Sequence, residues 1–195
     1  MQTLGLADCK FTSASLTAFV ESVTWETAGI VEVALDSNPI GYPSISLKPG
    51  VESVAVKKGV FAAVAGRFGE VTMDPDGDND VKLIWLDDRS ESSYTKVNKL
   101  TSAVASRGDL IEEHLHIQAL GEAISGSKVK TLGLAHCGFT SATLATFVES
   151  VTWETAGVTK IDISGADIDT STLDALKTAA PEGCEVVWKA PAKDG

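Results

Sequence analysis

Four aspartates alternate along Asp74-Pro-Asp-Gly-Asp-Asn-Asp, at Asp74, Asp76, Asp78 and Asp80. Carboxylates spaced this way could wrap a hard cation such as calcium, which takes several oxygen ligands. The helix–loop–helix calcium template wants a glycine at its sixth position and a glutamate at its twelfth. Counted from Asp74, those positions hold Asn79 and Trp85. Asp74, Asp76, Asp78 and Asp80 are therefore the metal candidates, and a solvated hairpin loop is the favoured reading of them.

The histidines and cysteines do not assemble a second centre. His114 and His116 are two apart, which puts them on different sides of a helix. Cys9, Cys137 and Cys184 are odd in number and widely spaced, so no disulfide framework is expected. Reduced, buried thiols in an intracellular, cytoplasmic setting are the expectation. A catalytic thiol at Cys137 is disfavoured, because the adjacent His136 points the other way along a strand end. No Ser-His-Asp arrangement, P-loop or dinucleotide fingerprint occurs. The chain is expected to be a non-enzyme without a cofactor. Trp85, Tyr94, Phe61 and Phe68 could line an aromatic groove for a peptide, or could be the core of a small domain.

With 27 acidic and 16 basic residues the net charge is −11. Phosphate-backbone binding needs clustered Lys and Arg, so nucleic acid is not an expected partner. No apolar run is long enough to span a bilayer, and the N-terminus has no basic stretch followed by an apolar one.

The elements that would carry these side chains are set by a repeat. Residues 3–29 and 131–157 are identical at 22 of 27 positions, at an offset of 128 (131 minus 3). Met1, Leu4, Leu6, Cys9 and Phe11 match L-x-x-L-x-L-x-x-N/C-x-L. The pattern returns at Ile30-Val33-Leu35-Asn38-Ile40, at Val129-Leu132-Leu134-Cys137-Phe139, and at Val158-Ile161-Ile163-Ala166-Ile168. The Leu-x-Leu core predicts a short strand with alternate side chains inward. The Cys or Asn position turns the chain and can satisfy buried turn groups, which Ala166 cannot do. Thr12-Ser13 predicts a helix start; Leu16, Phe19, Val20 and Val23 predict its buried face; Gly29 is placed to end it. Trp25 and Trp153 sit at equivalent helix ends and read as packing residues.

These four units resemble the leucine-rich repeats of the ribonuclease-inhibitor type. The resemblance implies an α/β solenoid of parallel strands and convex helices, and a strand face that binds protein. The outward strand positions would include Asp8, Asp36, His136 and Asp162, among small residues such as Gly5, Ala34 and Gly133.

Unit two is interrupted. Its strand begins at Ile30, and its helix is expected only at 109–125, with Leu110, Leu115, Leu120 and Ile124 as apolar positions. Between them, runs at 53–56, 60–64, 68–73, 81–86 and 93–97 read as short strands. Gly59 to Val71, Val81 to Asp88 and Tyr94 to Leu100 look like an SH3-like barrel of the Mib/Herc2 type. That resemblance implies a peptide-binding module, with Trp85 and Tyr94 as contact residues. The expected organisation is therefore repeats over 1–45, an inserted all-β SH3-like barrel over 46–107, and repeats with a C-terminal cap over 108–195. The function expected is a non-catalytic interaction scaffold for an unknown protein or peptide. The alternatives are a structural unit of a longer array, self-associating through an uncapped N-terminal end, and a calcium module through the acidic loop.

Overall fold

In the computed structural model the described residues are 2–191 without 12, 66 and 87–89. The chain is mixed α/β. Its elements are β1 (Gln2–Gly5), α1 (Ser13–Ser22), β2 (Ile30–Ala34), β3 (Ser44–Leu47), β4 (Phe61–Val64), β5 (Arg67–Val71), β6 (Asp80–Val81), β7 (Leu83–Trp85), β8 (Thr95–Lys96), β9 (Ser102–Val104), β10 (Leu110–Glu113), α2 (Leu115–Ser125), β11 (Thr131–Gly133), α3 (Ser141–Ser150), β12 (Lys160–Asp162), α4 (Thr170–Ala179) and β13 (Glu185–Val187). Two compact units result: Met1–Pro43 with His114–Gly195, and Ser44–Glu113.

In the first unit all five strands pair in parallel, in the order β1-β2-β11-β12-β13. Leu4 pairs with Val33, Val33 with Leu132, Leu132 with Ile161, and Ile161 with Val186. The aliphatic positions of the repeat thus lie side by side, and one core runs through them to α1–α4. Each helix turns its apolar i, i+3 face onto that core, as Leu144 and Phe147 do. Thr140 starts α3 with a capping box: its hydroxyl accepts from Thr143 N, and the Thr143 hydroxyl accepts from Thr140 N. The equivalent start at Thr12 lies outside the described residues.

The helix ends differ from the expectation at Gly29. Helix α1 stops at Ser22 and α3 at Ser150, well before Gly29 and Gly157. The two tryptophans supply the ending. Trp25 Nε1 donates to Val20 O and Trp153 Nε1 to Val148 O, both at 2.9 Å. Each indole thereby satisfies a last-turn carbonyl and stacks edge-on against Phe19 or Phe147 of its own helix.

The turns after β2 and β11 are closed by the side chains expected there. Asn38 is fully buried. Its Nδ2 donates to Leu6 O at 2.7 Å and Leu35 O at 2.8 Å, and its Oδ1 accepts from Phe11 N at 2.9 Å. Cys137 Sγ donates to Leu35 O at 3.1 Å. Burial pushes that thiol up to about 12, so it stays protonated and acts as a donor, not a nucleophile. All three cysteines are free, but only Cys137 is buried as expected; Cys9, on the edge coil, is exposed and Cys184 is half-buried.

The second unit departs from expectation at several points. Its bounds are Ser44–Glu113, not 46–107, because Leu110-Ile-Glu-Glu forms β10 instead of opening a helix. The β10 strand pairs antiparallel with β3, Ser44 opposite Glu113, so the two ends of the inserted unit lie side by side. Helix α2 accordingly begins at Leu115, whose side chain is 61% exposed and not a core position. The remaining strands form an antiparallel sheet ordered β7-β5-β4-β9 and a small β6·β8 pair, and no closed barrel forms among the described residues. Alternate β4 residues feed different clusters, Ala62 into one and Ala63 with Phe61 into the other, so the sheet has an apolar cluster on each face. Residues 53–56 are not a strand, and β3, β9 and β10 are strands the sequence pattern did not announce.

Where the chain leaves and re-enters the first unit, His116 ties the two segments. It is 1% exposed, and its Nε2 donates to Ile40 O at 2.8 Å, which leaves Nδ1 as the unprotonated nitrogen. Burial holds its pKa below the ordinary histidine value, and the neighbouring His114 adds to this, against the Ile40 carbonyl. The fold therefore needs His116 neutral. Its contribution is complete above the unfolded-state value of about 6.5 and is lost as pH falls below that toward the lower folded value. A urea midpoint that drops between pH 7 and pH 5, with a smaller drop in His116→Gln, is the expected result. Asn38→Ala leaves Phe11 N and Leu6 O without partners and should cost about 2–4 kcal/mol by denaturant titration.

Candidate binding surface

The parallel register fixes which side chains share the outer face of the sheet. One row is Thr3, Glu32, Thr131, Lys160 and Glu185. It is satisfied internally: Thr3 Oγ1 donates to Glu32 Oε2 at 2.9 Å, and Lys160 Nζ lies 3.2 Å from Glu185 Oε2. The next row is Gly5, Ala34, Gly133, Asp162 and Val187. Past the strand ends the backbone ladder continues, with Leu35 N bonded to Gly133 O and Leu134 N to Asp162 O. This aligns a third row of Ala7, Asp36, Ala135, Ser164 and Lys189. The floor is small-residued because two glycines and three alanines fall at outward positions.

The carboxylates border that floor in different ways. The Asp36 carboxylate lies over Gly133, where a Cβ would stand 2.6 Å from Oδ2, and its Oδ1 accepts from Ala135 N at 2.8 Å. One aspartate thus stitches its own coil to the next one. Asp162 Oδ1 accepts from Ser164 N at 2.9 Å and closes its own strand end. Asp8 is exposed and pairs with Lys10 Nζ at 2.7 Å, which raises the lysine pKa.

Beyond these rows the chain turns through a left-handed residue in every coil. The φ values are 52° at Asp8, 59° at Ser37, 55° at His136 and 81° at Gly165. Each of the four donates its N–H to the neighbouring coil: to Asp36 O, Ala135 O, Ser164 O and Lys189 O, at 2.7–2.9 Å. Asp and His tolerate this region better than most residues, and serine less well. Tertiary hydrogen bonds hold the strained turns in place. The His136 ring leans over Gly165, where a Cβ would stand 2.5 Å from Nδ1.

Asp36 and Asp162 therefore fall on the outer face of the sheet, with Asp36 already engaged by backbone, and Asp8 and His136 lie in the turns just beyond it. Trp85 and Tyr94 belong to the second unit. Trp85 is half-buried in one apolar cluster, with the Arg67 guanidinium 4.5 Å from its ring centroid. Phe68 and Phe61 belong to the cluster on the opposite face, so the four aromatics do not line one groove. Tyr94 is 61% exposed, with Lys82 Nζ 5.1 Å from its ring. Arg67 and Lys82 are surface partners that pattern reading missed. Their placement across from an aromatic on a neighbouring strand was the available signal.

The acidic loop binds itself. Asp74 Oδ1 accepts from Lys58 N, Asp76 Oδ1 from Asp78 N and Asp80 N, and Asp80 Oδ2 pairs with Lys96 Nζ at 2.9 Å. Among the described residues no group of three or more His, Cys, Asp or Glu is placed to hold a metal ion. No helix among them is long and apolar enough to cross a membrane.

The paired glycines give a direct test of the floor. Gly133→Ala must displace the Asp36 carboxylate and should cost about 1–2 kcal/mol in urea unfolding. Gly5→Ala, where a Cβ meets nothing within 4 Å, should stay within about 0.5 kcal/mol of the parent.

Comparison with protein-family models, with curated proteins and with solved structures gives no match to this chain.

Proposed function

We propose that this chain is a non-catalytic interaction scaffold of the leucine-rich-repeat kind, with an inserted all-β module, and that it binds a protein or peptide on the outer face of the parallel sheet. The observation that carries this reading is the floor formed by Gly5, Ala34 and Ala7, beside Gly133 and Ala135, which the Asp36 carboxylate already covers. Side chains there are too small to keep a partner away from the backbone, so an extended segment can approach closely. Asp8 and Asp162 border the floor, and the whole chain carries −11. Such a field draws in a segment rich in Lys and Arg and favours its orientation along the rows. The thiol and histidine chemistry does not favour catalysis: Cys137 is a protonated, buried donor and His116 a neutral, buried one.

The inserted unit is the competing contact surface. Its antiparallel β7-β5-β4-β9 order supports keeping the SH3-like comparison for it, although its strands do not close among the described residues. Tyr94 is its exposed aromatic, and Trp85 already receives a cation from its own chain.

Three immobilised chains separate these surfaces: the parent, a chain with Gly5→Trp and Ala34→Arg, and one in which 45–112 is replaced by a short Gly-Ser link. The excision is feasible because Ser44 and Glu113 are directly opposite. Proteins captured by the parent and the excised chain, but not by the blocked floor, are the expected outcome. Capture that fails only on excision moves the contact to the inserted unit, and equal capture by all three removes both surfaces from consideration.

A further inference from the structure

The near-identical segments 3–29 and 131–157 make α1 and α3 controls for each other. The later copy lies between β2 and β12, and its side chains are mostly the more buried. Phe147 and Val151 are buried where Phe19 and Val23 are half-buried. One valine reverses the order. Val20 is 5% exposed, whereas its counterpart Val148 is only half-buried. The helix beside Val148 therefore covers it less well than α2 covers Val20.

Residue sizes explain the reversal. Ile117 and Leu120, Leu144 and Phe147, and Leu173 and Leu176 are the same buried pair in α2, α3 and α4. Between α2 and α3, Gly121 makes room for the Ser150 side chain. Between α3 and α4, Val148 stands in place of that glycine and Ala179 in place of that serine. The position of Leu115 in α2 is held in α4 by Ser171, and that of Thr17 in α1 is held in α3 by Ala145. Both walls lose bulk, and a groove of about 400 Å³ is left, lined by Ala145, Val148, Glu149, Ser171, Thr172 and Ala175. Its hydroxyls are already engaged: Ser171 Oγ and Thr172 Oγ1 donate to Asp169 Oδ1 at 2.7 and 2.8 Å. Glu149 is exposed and enters no hydrogen bond or ion pair within the described residues. Asp174 is a second exposed carboxylate on these helices. Lys177 is two residues past Ala175, hence about 200° round α4 from it.

The groove is thus a short apolar trough that ends at one unpaired carboxylate. A lysine side chain is its complement, an apolar four-carbon stem tipped by a compact ammonium. We propose that the α3–α4 groove is a docking site for a basic amphipathic helix of a partner protein, which lays a lysine stem along Ala145, Val148 and Ala175 and sets its ammonium at Glu149. A helix is the element that seats itself in a groove between two helices. Charge complementarity selects a basic one, because Glu149 is the groove's unengaged polar group and the whole chain carries −11. The site lies on the helices of the first unit and does not depend on the reading given above for the strand face.

The probe is a fluorescent helix-forming peptide of about 18 residues, alanine-based with leucine and lysine on one face. Its binding to the full chain is read by anisotropy in about 0.15 M salt, which screens long-range attraction. Glu149→Gln and Glu21→Gln change the net charge equally, so the pair separates the groove from the general field of the chain. Glu149→Gln should weaken binding about fivefold, and Glu21→Gln less than about twofold. Ala145→Thr, which gives α3 the residue of α1, should weaken it about twofold, and Ala175→Phe, which fills the groove, more than about tenfold. With glutamine in place of the probe's lysines, the parent and Glu149→Gln should bind alike. Equal losses in the two charge variants, undiminished binding by Ala175→Phe, or no binding by the parent overturns the proposal. So does a fall of more than about 3 °C in the Tm of the peptide-free chain on Glu149→Gln, which would place a segment of the chain itself in the groove.

Discussion

No coil of the first unit can bury its own apolar side chains. A strand of three to five residues and a helix of ten or eleven enclose little volume between them. Leu132 becomes fully buried only because Val33 and Ile161 lie on either side of it in register. A one-residue slip would send that whole row to the outer face and bring Gly133 inward. Everything else in the unit serves this registration: Asn38 bonding Leu6 O and Leu35 O, Asp36 reaching Ala135 N, and the left-handed turns donating across to the next coil. Side chains and backbone thus repeat the same instruction, that each coil sit directly on its neighbour.

That constraint also explains how seventy residues enter one coil without disturbing the stack. The insertion falls after the strand and its turn are complete, and before the helix, where the ladder makes no demand on the chain. The inserted unit brings its own ends together through the β3·β10 ribbon. For the first unit it therefore behaves as a short loop, and closing a loop costs little more when it is long. The price falls on local polar groups, and His116 meets it by bonding the carbonyl of Ile40 from the far side of the insertion.

Much of the first unit was legible because its determinants are local and repeated. The pairing of Leu4, Val33, Leu132 and Ile161 follows from spacing alone, and the buried role of Asn38 follows from its place in the turn. The helix ends were misread because an indole replaces the glycine signal: Trp25 and Trp153 reach back to carbonyls five residues earlier. The inserted unit was less legible because its order depends on pairing between distant segments. Leu110-Ile-Glu-Glu has no helix- or strand-specific period in four residues, and only Ser44–Leu47, far away in sequence, decides that it is extended. The candidate surface was legible as a list of outward residues. What could not be read was that Asp36 is spent on the neighbouring coil, since nothing in residues 30–40 states that a glycine stands opposite.

The small outer floor and the tight registration are two consequences of one choice of residues. Gly133 admits the Asp36 carboxylate that stitches coil to coil, whereas Gly5, with nothing over it, leaves its part of the floor low. A bulky residue at Gly133 would offer a partner more contact area, yet it would expel the carboxylate and loosen the coils. The sheet face therefore trades the large aromatic anchors that usually dominate interfaces for close access to backbone and a fringe of charge. As the proposed binding surface, it would read the shape and charge of an extended segment more than the volume of any one side chain. On the proposed reading, specificity comes from positions such as Asp8, His136 and Asp162, where the repeats differ from one another.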